Sequence, residues 1–189
     1  MSKFSVRPTL TLKGRSFKGL RGWSGKPAHP PLTDFPIAAY VLAAAFDIIS
    51  AVAGKDHTWA RELWHAGAFT FIGGAAVSVL AALTGLWDAW KSSQAGTQAR
   101  RTINTHATIM LSVTVLALAD IAWRLNDYHT HPVTPVGIAV MSGVIALLVS
   151  LGATFGGTLV YDYGFNVETA GDSPVWHPSE SDVLPGGHD

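Results

Sequence analysis

Apolar residues gather in four long blocks, separated by short polar stretches. The blocks are continuous, whereas a soluble helix would alternate apolar and polar faces with a period near 3.6. A helix crossing the hydrocarbon layer needs about 20 mostly apolar residues. Residues 32–53, 65–87, 105–123 and 135–160 meet that requirement. The third block is the shortest and contains Asp120. The fourth is the longest and is predicted to tilt or to begin in the interface. The connections, 54–64, 88–104 and 124–134, are short, which favours neighbouring antiparallel helices. The pattern predicts an all-α, four-transmembrane-helix up-down bundle.

Composition agrees with that pattern. Charged residues make up 14% of the chain, against roughly 25% in soluble proteins. Thirteen basic and thirteen acidic residues cancel, but their placement is uneven. Lys3, Arg7, Lys13, Arg15, Lys18, Arg21 and Lys26 precede the first block, and Lys91, Arg100 and Arg101 lie in the middle connection. The opposite connections offer Lys55, Arg61 and Arg124. Positive charge is retained on the cytoplasmic side, so both termini are expected there.

The domain reading is a basic cytoplasmic arm (1–28), a transmembrane domain (29–167) and an acidic cytoplasmic tail (168–189). The arm shows no apolar run of a cleavable leader. Its interleaved Phe4, Leu10, Leu12, Phe17, Leu20 and Trp23 suit attachment to anionic lipid or a neighbouring subunit, or a plain positive-inside anchor. No folded basic module surrounds it, so nucleic-acid binding has no support.

Candidate chemistry lies in histidines and intramembrane charges. Cysteine is absent, which excludes disulfides, thiolate metal sites and covalently attached c-type haem. His29 precedes the first block and His106 opens the third, so both belong near the cytoplasmic face. The first and third helices of an up-down bundle run parallel on a diagonal. Two inward imidazoles there can hold a haem iron from opposite faces. The alternative is that both hydrogen-bond at the interface. His65, His129 and His131 offer a weaker outer pair for a second haem or a metal.

Asp47 and Asp120 fall at similar depth, and Arg124 follows Asp120 by one helical turn. An Asp47–Asp120–Arg124 cluster would offset the cost of burying each charge. Its use is either proton relay, for example to a quinone, or a static clamp between helices. Asp34 and Asp88 are expected at the cytoplasmic face, Asp88 within reach of Arg100 or Arg101. Gly152 and Gly156 form a small-xxx-small step that either packs helices closely or leaves room for a porphyrin edge. There is no phosphate-binding glycine loop, HExxH or GxSxG.

The run HPPLTDFPIAAYVLAAAFDIIS from His29 resembles the opening of the DUF2231 family of bacterial membrane proteins. GLWD at Gly85–Asp88, His106, and GGTLVYDYGFNV at Gly156–Val167 agree with it. The resemblance implies four helices in the bacterial cytoplasmic (inner) membrane. Relatives are joined to Rieske iron–sulfur or c-type cytochrome domains, which implies electron-transfer company. Asp34 stands where the family commonly has a second histidine, and the Rieske extension is missing, so a redox partner would be a separate protein.

The functional expectation is a redox-linked membrane subunit. In its sharpest form it is a small b-type cytochrome with haem b on His29 and His106, passing electrons between quinone and a partner protein. A non-catalytic scaffold of a larger membrane complex is the alternative. A small transporter is disfavoured by the absence of a repeat or a broken helix pair.

Overall fold

The computed structural model describes residues 28–92, 95–163 and 165. Four helices account for nearly all of them: α1 (His29–Ala53), α2 (Thr58–Ser92), α3 (Gln98–Asp127) and α4 (Val136–Tyr161). Each is long and apolar enough to cross a membrane. The basic arm up to residue 27 and the acidic tail lie outside the described residues.

The helices start and stop where local chemistry allows. Pro30 and Pro31 sit in the first turn of α1, where a backbone N–H would have no intrahelical partner anyway. Gly54 ends that helix with φ 76° and returns its N–H to the Ser50 carbonyl, a backbone shape that favours glycine. The Thr97 hydroxyl caps α3 by accepting the Arg100 N–H at 3.2 Å. Pro135 precedes α4, where its missing donor costs nothing.

Two helices run well beyond their apolar blocks, and the connections shrink accordingly. The extra turns, 58–64 and 98–104, are more polar than the blocks they extend. Hydropathy marks only the lipid-immersed part of a helix, so it stops short of the interface. His29 is therefore the first residue of α1 and does not precede it. His65 and His106 lie about two turns inside α2 and α3, not at their starts.

Short links make the bundle up-down, with α1 packed on α2 and α4, and α3 packed on α4. The α2–α3 seam is the thinnest. A row of small residues on α2 explains the closest pairing. A Cβ built at Gly67 would lie 2.7 Å from Asp47 Oδ1, and one at Gly74 2.6 Å from the Ala39 Cβ. Only glycine lets α1 come that near.

Burial is inverted relative to a soluble protein. Val52 is 82% exposed and Leu147 74%, while Asp47, Asp120 and Arg124 are completely buried. Apolar side chains face lipid tails, and the polar ones find partners inside. In the middle of the bundle Tyr40, Ala43, Phe71, Val113, Ala117, Ile145 and Val149 form one apolar layer.

Candidate functional site

Two polar regions lie on either side of that layer. The first is a cavity of about 460 Å³ at the end of the bundle where α1 begins. His29, Asp34, Tyr40, Ser78, Asp88 and His106 are among its polar lining, and Gly85 and Gly156 among its walls. Its volume falls within the roughly 300–1,000 Å³ of small-molecule and cofactor sites.

Both histidines are held in the same way. His29 Nδ1 lies 2.9 Å from the Ala81 carbonyl of α2, with the Thr84 hydroxyl at 3.3 Å. His106 Nδ1 lies 2.8 Å from the Gly152 carbonyl of α4. A carbonyl oxygen can only accept, so each Nδ1 must carry the hydrogen. In a neutral imidazole that leaves the Nε2 lone pair available. Neither Nε2 has a hydrogen-bond partner among the described residues.

Each ring also rests on a glycine. A Cβ at Gly85 would lie 2.6 Å from His29 Cε1, and one at Gly156 3.3 Å from His106 Cε1. An imidazole with Nδ1–H fixed by a backbone carbonyl and Nε2 free is how proteins orient a metal-ligating histidine. The residues present therefore fit a haem iron, which asks for two axial nitrogens. No group of three or more His, Cys, Asp or Glu suited to a bare metal ion occurs among the described residues.

The second region is the ion cluster. Arg124 Nε donates to Asp120 Oδ2 at 2.5 Å, Nη1 donates to Asp47 Oδ1 at 3.1 Å, and Nη2 donates to Asp47 Oδ2 and, at 2.6 Å, to Ser142 Oγ. Ser142 donates to Asp47 Oδ2 at 2.7 Å. The guanidinium lies over the Phe71 ring at 4.7 Å and the Trp64 ring at 5.5 Å, a favourable cation–π arrangement. Ser50 closes the end of the bundle, donating to the Ala60 carbonyl at 2.6 Å and accepting the Thr134 N–H at 3.1 Å.

The structure thus brings His29 and His106 to one cavity and Asp47, Asp120 and Arg124 to one cluster. It does not assemble the outer histidines into a comparable site. His65 stacks on Tyr128 at 4.7 Å, His129 meets the same ring edge-on, and His131 leans 3.7 Å from Asp127. Asp88 is buried and has a bonding partner. On the same end of the bundle Arg101 donates to Gln98, and Arg100, among its contacts, donates to the Ala89 carbonyl at 3.0 Å.

Sequence reasoning missed Ser142, Ser50, Thr134 and the two rings around Arg124. A signal was present in α1, where Tyr40, Ala43, Asp47 and Ser50 fall on one helical face. The carbonyl partners of the histidines carry no side-chain signal at all.

Fold and burial define a four-helix membrane protein with a polar interior. The profile of the DUF2231 family, described as a predicted membrane protein, matches residues 25–169, and the chain belongs to that family. No curated protein and no solved structure matches it.

Proposed function

We propose that the chain is a small b-type cytochrome of the bacterial cytoplasmic membrane, with both termini in the cytoplasm and haem b held by His29 and His106. The observation that carries this reading is the shared fixing of the two imidazoles. Each donates Nδ1–H to a carbonyl of the adjacent helix, keeps Nε2 free, and lines the same cavity. An interfacial histidine needs no such orientation, whereas an axial ligand does.

Bound there, haem supplies a one-electron couple. The protein's part would be to orient both nitrogens and to surround the ring with apolar side chains such as Ile37, Met110 and Leu111. Quinone in the bilayer and a separate redox protein are the electron partners this reading implies.

The test is the visible spectrum of the purified full-length protein, oxidised and dithionite-reduced, with a pyridine haemochrome assay. Expression must include ample haem. A b-type spectrum that is lost in His29→Ala and in His106→Ala, with helical content retained, is expected. A colourless protein would overturn the cytochrome. Recovery of that colourless protein in a stable complex would favour a scaffold.

A further inference from the structure

The ion cluster is unbalanced. One guanidinium faces two carboxylates, and all three side chains are fully buried. With both acids ionised the bundle would hold an uncompensated negative charge inside the membrane, a far costlier state than a neutral cluster.

The hydrogen bonds show which acid is the neutral one. Asp47 receives donors on both oxygens: two from Arg124, one from Ser142 and one, at 3.4 Å, from the Thr134 hydroxyl. Such charge-assisted bonds favour the carboxylate form. Asp120 receives a single donor, Arg124 Nε, on Oδ2. Its Oδ1 is buried and has no hydrogen-bond partner among the described residues. An anionic oxygen left bare in that position is heavily penalised, while a hydroxyl there carries no net charge.

Among the described residues no further titratable group bonds to it. Asp47 comes from α1 and Arg124 from α3 itself. Ser142 comes from α4, Thr134 from the preceding link, and α2 contributes the Trp64 and Phe71 rings. Trp64 Nε1 is a second buried side-chain atom without a hydrogen-bond partner among the described residues, and it belongs to a ring beneath the same guanidinium. Asp120 lies seven residues before the end of α3, about 10 Å from that end of the helix at 1.5 Å per residue.

We propose that Asp120 is an intramembrane proton-binding site: Oδ1 carries an exchangeable proton at neutral pH, beside an Arg124–Asp47 ion pair. The site holds one proton at the end of the bundle opposite the histidine cavity. Release of that proton leaves a net charge of minus one on the cluster, and uptake restores neutrality. This assignment stands whether or not the histidines hold haem.

Infrared spectroscopy of the full chain in liposomes tests it, with and without carbon-13-labelled aspartate. The wild type should show a protonated-carboxyl C=O band at neutral pH that shifts in heavy water and shifts again with the label. Neutralising either acid forces the other to pair with Arg124, so the informative variants are Asp47→Glu and Asp120→Glu. In Asp47→Glu the band should keep its response to labelled aspartate. In Asp120→Glu an acid band should remain but lose that response. Absence of an acid band from the wild type overturns the proposal without any variant, and so does a label-sensitive band in Asp120→Glu.

Discussion

Arg124 donates through both terminal nitrogens to Asp47, a residue 77 positions earlier in the chain. The two belong to α3 and α1, whose Cα atoms come nowhere within 8 Å of each other among the described residues. A long side chain therefore spans a diagonal that the backbones leave open.

Stability should follow the number of counter-ions left to Arg124. Asp120→Asn keeps the Asp47 pair and is expected to cost no more than about 1 kcal/mol, the scale of one hydrogen bond. Asp47→Asn leaves Asp120 to pair and should cost about 1–3 kcal/mol. The double substitution strands the guanidinium and should cost about 3–5 kcal/mol or prevent folding. Denaturant unfolding in detergent measures the series, and equal losses in the two single variants would contradict it.

Ser50→Ala should cost about 1–3 kcal/mol, since it leaves the buried Thr134 N–H without its acceptor and removes a donor from the Ala60 carbonyl. Thermal unfolding in detergent checks this. A neutral result would mean that the link before α4 relaxes without it.

Gly85→Ala and Gly152→Ala make an instructive pair, because each new Cβ would fall 2.6 Å from its nearest neighbour. At Gly152 that neighbour is the Met110 sulfur, on a flexible side chain that can move. At Gly85 it is the His29 ring, fixed by the Ala81 carbonyl. Gly85→Ala should therefore cost about 1–3 kcal/mol and lower haem occupancy. Gly152→Ala should come closer to the wild type in both readouts, haem absorbance per protein and melting temperature.

The chain has no cysteine, so single replacements report sidedness without background. Ser5→Cys and Ser179→Cys should react with a membrane-impermeant maleimide from the same side. Thr130→Cys, in the exposed link after α3, should react from the other. The proposed topology expects the first two in the cytoplasm, and labelling intact cells against inverted vesicles decides it.

Much of the architecture could be read from the chain because lipid imposes a simple rule on it. A helix must stay apolar for about 20 residues, and four blocks did so. Arg124 and Asp120 were also legible as neighbours, being one turn apart on one helix. Helix ends were not, because an interfacial turn such as 98–104 can be polar and still helical. Nor was the fixing of the imidazoles legible. Ala81 and Gly152 act through backbone carbonyls, which every residue possesses, and only the close approach of neighbouring helices selects them. Ser142 went unnoticed because a lone serine in an apolar helix usually bonds its own backbone.

The apolar layer around Phe71, with the cavity on one side and the ion cluster on the other, makes the bundle a cul-de-sac in both directions. An ion moving from one polar region to the other would have to shed its partners and cross that layer, at the desolvation cost of a bare charge in hydrocarbon. The two ends of the bundle are therefore expected to answer to the pH of opposite compartments, each independently of the other.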